Sequence, residues 1–138
     1  MIKILFVCHG NICRSPMAEF VMKDLVNKKG MADKFEIASA ATSTEEIGNP
    51  VYPPARRTLK EHGISCEGKT ARQMTKADYT YYDYIIAMDR FNIRNMTKSG
   101  KRLSQKGTSL RRFVFCKSPY LFHFNIILHK ILKAGRRS

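Results

Sequence analysis

The chain has 138 residues, 25 Lys and Arg against 11 Asp and Glu, and a formal net charge of +14. That length suits one domain, and a hydrophobic fraction of 43% supports a real core and argues against wholesale disorder. Four unevenly spaced cysteines form no zinc pattern and are too few for a disulfide scaffold, so no metal and no cofactor is expected.

Residues 2–7 are an apolar run broken only by Lys3, which predicts a buried parallel strand. The run is too short for a signal peptide or a membrane span, so a cytoplasmic, reducing location is expected. It leads into Cys8-His9-Gly10-Asn11-Ile12-Cys13-Arg14-Ser15-Pro16, where Pro16 fits the first position of a helix and Ser15 its N-cap. Met17, Phe20, Val21 and Leu25 fall on one face of that helix. Lys28-Lys29-Gly30 then closes it with cations against the dipole and a glycine stop. Residues 35–40 predict a second strand. Pro53–Glu61 predicts a helix, ended by His62-Gly63 with Ile64 set for a capping contact. Residues 84–88 predict a third buried strand with Asp89 at its carboxyl end, and Tyr79, Tyr81, Tyr82 and Tyr84 are expected to pack around it. Strands alternating with helices predict an α/β, three-layer fold, a four-stranded parallel sheet with helices on both faces.

The charge is unevenly placed. Residues 1–89 hold 12 Lys and Arg and all 11 acids, a net of +1, whereas residues 90–138 hold the other 13 cations and no acid. The expected division is an α/β domain over residues 1–98 and a basic tail over residues 99–138. In the tail, Leu110 with Phe113-Val114-Phe115 is a candidate fourth strand. Residues 120–132 set Leu121, Phe124, Leu128 and Ile131 on one helical stripe. The alternatives for this block are the last strand and helix of the sheet, a disordered arm, or a segment read in a shifted frame. With the first part almost neutral, nucleic acid is disfavoured as a partner, and membrane contact through the tail ranks below packing on the sheet.

Residues 8–15 carry the chemistry. They join a strand to a helix at the carboxyl end of an open sheet, where α/β folds bind ligands. Backbone N–H groups of His9, Gly10, Asn11, Ile12, Cys13 and Arg14 in a tight turn make an anion nest, and the helix N-terminus adds partial positive charge. Gly10 supplies the backbone freedom such a loop needs, and Asn11 is the next most tolerant residue type. The planar fork of Arg14 can take two phosphate oxygens, and the same positive surroundings favour Cys8 as a thiolate. The implied reaction has two steps: Cys8 takes a phosphoryl group, then water removes it while Ser15 donates to the departing sulfur.

Over Val7-Cys8-His9-Gly10-Asn11-Ile12-Cys13-Arg14-Ser15-Pro16-Met17-Ala18-Glu19 the chain resembles the low-molecular-weight protein tyrosine phosphatases. Ser39-Ala40-Ala41-Thr42-Ser43, Ile47-Gly48-Asn49-Pro50, Glu61-His62-Gly63-Ile64, Ala71-Arg72-Gln73 and Ala87-Met88-Asp89-Arg90-Phe91-Asn92 extend the likeness over roughly residues 1–96. The resemblance implies hydrolysis of phosphotyrosine-type monoesters, with a phosphotyrosine protein or an aryl phosphate as substrate. It implies Cys8 as nucleophile, Arg14 as phosphate clamp, and Asn11 with Ser15 and Ser39 as the network holding the loop. Ile47 falls on the rim of the substrate cleft, and Cys13 where a reversible disulfide can protect the nucleophile.

Two departures stand out. The family's general acid lies in a late Asp-Pro pair, and no Asp follows Asp89 here. Asp89 itself is left as the candidate acid, against a simpler role as a helix cap. Lys69 stands where the family often has a histidine. Two other functions fit the same loop: a non-catalytic phosphate-binding module with a basic docking tail, and a thiol-dependent arsenate reductase drawing on Cys66 or Cys116.

Overall fold

The structure is a computed structural model that describes residues 1–100, 113–115 and 133. Its strands are Ile2–Cys8 (β1), Phe35–Ala41 (β2), Tyr84–Ala87 (β3) and Phe113–Phe115 (β4), and all pair in parallel in the order β2–β1–β3–β4. The helices are Arg14–Lys28 (α1), Pro53–Glu61 (α2), Lys76–Tyr81 (α3) and Arg90–Gly100 (α4). The expected three-layer α/β architecture is present, and the fourth strand forms against Ile85–Ala87. Leu110 and the helix expected over residues 120–132 lie outside the described residues.

Alternation along β1 divides the core. Ile4 and Phe6 meet Phe35, Ile37 and Ile86 on the face covered by Met22 and Val26 of α1. Leu5 and Val7 join Ala40, Ile85 and Ala87 on the other face, under Tyr79, Tyr82 and Met96. Such two-sided burial is what a central parallel strand requires. A third cluster, Val51, Ala55, Leu59 and Cys66, seats α2 against the flank of α1 at Cys13, Met17, Phe20 and Val21.

Helix α1 departs from expectation in two ways. It starts at Arg14, with Cys13 as an N-cap whose side chain makes no capping bond, so Ser15 and Pro16 lie inside the first turn. Ser15 does not cap because its hydroxyl is engaged with Cys8 and Asn11. The fully buried stripe is Ser15, Glu19, Met22 and Val26, while Met17, Phe20, Val21 and Leu25 are only half-buried. Two polar residues occupy the sheet-facing stripe, so the apolar period points instead to the flank.

Elsewhere the caps explain the boundaries. Helix α2 ends as expected: Gly63 takes φ +72°, its N–H donates to Lys60 O at 2.9 Å, and Ile64 N–H donates to Leu59 O at 2.9 Å. Thr75 and Asp78 form a reciprocal capping box at α3. Asp89 and Asn92 do the same at α4, with Asn92 N–H on Asp89 Oδ1 at 2.8 Å and Asp89 N–H on Asn92 Oδ1 at 3.0 Å. Of the tyrosines, Tyr79 and Tyr82 are buried and Tyr84 packs on the α1 side of the core. Tyr81 instead lies at the surface, bonded to Glu36. Among the described residues, no helix is long and apolar enough to cross a membrane.

The topology positions the site. From β1 the chain crosses first to β2 on one side, and later to β3 on the other, so the strand order reverses around β1. A crevice opens at that point beyond the strands' carboxyl ends. Cys8 is the last residue of β1.

Ile4 is fully buried at the centre of the sheet. Ile4→Ala is expected to lower the unfolding free energy by about 2–5 kcal/mol, whereas Ile47→Ala on the exposed rim should stay within about 0.5 kcal/mol. Urea unfolding followed by circular dichroism compares the two. A second expectation concerns acid stability. Burial pushes the Asp78 carboxyl up, but hydrogen bonds from the Arg72 guanidinium and the Thr75 N–H outweigh it and hold the group below the usual carboxylate range. A group lowered in this way stabilises the fold fully above its unfolded value of about 4, and the contribution is lost as pH falls through the folded value. Asp78→Asn should therefore melt earlier than the parent at neutral pH, with the gap closing below about pH 4. Melting temperatures across that range test it.

Candidate active site

The loop between β1 and α1 turns on Asn11, the one non-glycine residue with positive φ (+59°) among the described residues. The left-handed position is thus Asn11 and not Gly10. Gly10 sits in a close approach, since a Cβ there would lie 3.2 Å from Glu46 Cγ and that side chain would have to shift by a few tenths of an ångström. The Asn11 N–H points back to Cys8 Sγ at 3.2 Å. Its side-chain amide donates to Ser15 Oγ at 2.8 Å and to Ser39 Oγ at 2.9 Å, and its oxygen accepts the Arg72 N–H at 3.2 Å. Ser15 Oγ lies 3.0 Å from Cys8 Sγ. Cys8, Asn11, Ser15 and Ser39 are all buried, and these bonds join residues of β1, α1 and β2.

The first turn of α1 has no side-chain cap, which leaves N–H groups at the positive end of the helix dipole facing the loop. Residues 42–46 line the other side. Thr42 N–H donates to Cys8 O at 3.0 Å, and Ser43 donates to His9 O from its N–H at 3.1 Å and its hydroxyl at 2.8 Å. The exposed His9 ring meets Glu45 Oε2 at 3.0 Å. The Ile12 carbonyl accepts the Tyr52 N–H at 2.7 Å. Ile47 and Tyr52 are large apolar side chains left about half exposed, on segments fastened to the loop.

Arg14 is also at the surface, with Nη1 on Asp89 Oδ2 at 2.6 Å. Burial raises the Asp89 carboxyl, but the Arg14 hydrogen bond and the Asn92 N–H prevail and hold it below the usual carboxylate range. A proton donor at neutral pH needs the opposite displacement. Asp89 therefore sits as an ionised partner of Arg14 and a cap of α4. Cys8, Cys13 and Cys66 are free thiols. Cys13 is half-buried, and its thiol is pushed up by burial and then by Cys8, with Arg14 opposing. Among the described residues no group of three or more His, Cys, Asp or Glu is arranged to hold a metal.

Sequence reasoning missed Glu19. It is buried on α1, accepts the Ser39 hydroxyl at 2.6 Å and pairs with Lys23 at 2.7 Å and Lys69 at 3.5 Å. Lys69 also donates to Ser39 O at 3.1 Å. The signal was present, because an acid at position 19 shares a helical face with Ser15, Met22 and Val26.

The model of the family described as "Low molecular weight phosphotyrosine protein phosphatase" matches residues 3–119. The match runs past the sequence motifs into the basic segment. The rat (Rattus norvegicus) low molecular weight phosphotyrosine protein phosphatase is 44% identical over 100 residues, covering 72% of this chain and 63% of the rat protein. The Bacillus subtilis low molecular weight protein-tyrosine-phosphatase YfkJ is 48% identical over 96 residues, 70% of this chain and 62% of that one. The chain thus spans slightly less than two thirds of these relatives. In structure, YfkJ superposes with a TM-score of 0.76 at 36% identity, covering 98% of this chain and 89% of YfkJ. The Streptococcus pyogenes low molecular weight protein tyrosine phosphatase gives 0.73 at 35%, covering 98% and 88%. A nucleophile-type cysteine turned toward a left-handed asparagine is thus met by a family match across most of the chain, which belongs to the low molecular weight phosphotyrosine protein phosphatases.

Proposed function

We propose that the chain hydrolyses phosphotyrosine-type monoesters through a cysteinyl-phosphate intermediate on Cys8. The observation that supports this reading best is the placing of Cys8 Sγ, 3.2 Å from the Asn11 N–H and 3.0 Å from Ser15 Oγ, beside the uncapped start of α1. In the first step the sulfur forms a bond to phosphorus. The bond from phosphorus to the aryl oxygen breaks, and its electron pair leaves on that oxygen. The N–H groups of residues 9–14 and the Arg14 guanidinium bind the equatorial oxygens, where charge is greatest. In the second step water attacks phosphorus, the P–S bond breaks with its pair returning to sulfur, and the water's proton goes to bulk solvent. Ser15 donates to the sulfur and eases its departure. Ile47 and Tyr52 offer an apolar rim to an aromatic ring, which favours phosphotyrosine proteins or aryl phosphates as substrates.

No carboxylic acid serves the leaving group in this scheme. Asp89 is committed to Arg14 and to α4, and no Asp or Glu follows it in the sequence. The aryl group therefore leaves as a phenolate, and the rate depends on how stable that anion is.

With p-nitrophenyl phosphate, a burst of one phenolate per chain is expected in rapid mixing, and Cys8→Ser should abolish it. Phosphate binding without any burst would instead identify a non-catalytic phosphate-binding module. The missing acid also sets a magnitude. General acid catalysis is worth about 10²–10⁴-fold, so phosphoenzyme formation should be slower by about that range for phenyl phosphate than for p-nitrophenyl phosphate. Single-turnover rates across a series of substituted phenyl phosphates measure this, and a flat dependence would mean that another group supplies the proton.

A further inference from the structure

We infer that the cavity between α2 and residues 63–69 is a binding site for an organic anion, a molecule with an acidic head and an apolar body. None of residues 8–15 lines this cavity, so the inference stands apart from the reading of Cys8 as nucleophile.

The cavity follows from how the chain leaves α2. Gly63 turns the backbone at φ +72°, and the Ile64 N–H closes on Leu59 O at 2.9 Å. A further turn sets the Lys69 N–H on Cys66 O at 3.2 Å, and Thr70 then pairs antiparallel with Pro50, just ahead of α2. The segment is thus fastened near both ends of the helix and encloses about 490 Å³ beside it. That is the size of a small-molecule site.

Its chemistry is divided. Val51 and Cys66 are buried members of the cluster that seats α2, and with Ile64 they give the cavity an apolar side. Arg56 and Lys60 line it from α2, and Lys69 and Glu67 from the returning segment. Lys69 is already engaged, since its Nζ donates to Ser39 O at 3.1 Å and lies 3.5 Å from Glu19. Arg56 and Lys60 are exposed, and among the described residues neither takes an ion pair or a side-chain hydrogen bond. They are the cations open to a ligand, against the single carboxylate of Glu67.

Their spacing points to an anion. Residues four apart on a helix are neighbours, where opposite charges stabilise and like charges repel. Helix α1 uses that spacing for pairing, Lys23 with Glu19 at 2.7 Å and Lys28 with Asp24 at 2.8 Å. Helix α2 instead sets two cations there, within residues 1–89, whose net charge is only +1. An anion between them removes the repulsion, and the planar fork of Arg56 offers it two parallel bonds. An inorganic ion would satisfy the cations and leave the apolar side uncovered. An aromatic carboxylate or sulfonate fills both parts.

The probe is 8-anilinonaphthalene-1-sulfonate, added to the full chain at low salt. Its fluorescence is expected to rise to saturation. The double variant Arg56→Gln, Lys60→Gln should bind it about tenfold more weakly, as the loss of two partly exposed charge contacts implies. Arg57→Gln, at an exposed neighbour that does not line the cavity, should leave the affinity in place. The sulfonate can also enter the loop of residues 8–15, so its position is read separately from amide chemical shifts in the unmodified chain. Shifts centred on Val51, Ile64 and Cys66 support the site, and this reading holds even where the variants do not fold. Shifts confined to residues 9–14 overturn it. So does an undiminished affinity in the double variant, an equal loss in Arg57→Gln, or the absence of saturable binding.

Discussion

Asn11 holds a backbone conformation that costs a non-glycine residue about 1–2 kcal/mol, and four hydrogen bonds converge on it at 2.8–3.2 Å. Each such bond is worth about 0.5–1.5 kcal/mol net when buried, so the set offsets the strain. Glycine would relieve the backbone and lose the three side-chain bonds. An ordinary L-residue would lose those bonds and keep the strain. The turn matters because it reverses the chain just after β1, bringing the Asn11 N–H back toward the Cys8 sulfur. It also ties β1 to α1 through Ser15, to β2 through Ser39 and to the segment before α3 through the Arg72 N–H. Four parts of the chain, two of them distant in sequence, meet at one residue.

The same helical stripe that builds the core also builds this junction. Ser15, Glu19, Met22 and Val26 face the sheet from α1. The last two complete an apolar cluster with Ile4 and Phe6, and the first two stand over the carboxyl ends of β1 and β2. Parallel register pairs Phe6 with Ser39 and Cys8 with Ala41, so Ser39 comes level with the approach to Cys8. An acid in such a stripe is tolerable only when its charge is matched, which links the helix to Lys69 some fifty residues further along the chain. The core fixes where the polar network stands, and the network in turn keeps the end of the helix from being a second apolar layer.

What was legible in the sequence follows the same division between local and distant. Strand β1 and helix α2 were read correctly because a continuous apolar run, a proline start and a His62-Gly63 stop are local signals. The loop residues were legible because the nest, the cysteine and the arginine lie within eight consecutive positions. The face of α1 was misread because periodicity counts apolar residues, and the buried stripe contains a serine and a glutamate. Helix α3 went unread although Thr75 and Asp78 have the spacing of a capping box, with aspartate in place of the more usual glutamate. Ser39 entered through family resemblance, since nothing local distinguishes a serine at the end of a strand. The Arg72 N–H and the partners of Glu19 became visible only when the sheet brought residues 11, 19, 39 and 72 together.

Arg14 and Asp89 set the last constraint on the proposed chemistry. Their side chains are 48% and 32% exposed, and ion pairs in such settings are generally worth about 0–1 kcal/mol. A phosphate dianion in the nest offers the guanidinium a bidentate partner beside a helix N-terminus, where charge-assisted bonds are stronger. Phosphate therefore draws Arg14 from Asp89 at small cost. Arg14 is the foremost group holding the Asp89 carboxyl low, and the Asn92 N–H on its other oxygen is the bond that caps α4. In the resting arrangement Asp89 is the anion that holds the start of α4 and the arginine. In the proposed chemistry this arrangement favours binding of phosphate and presentation of sulfur to phosphorus. In that same scheme, departure of the aryl oxygen rests on the substrate's own acidity.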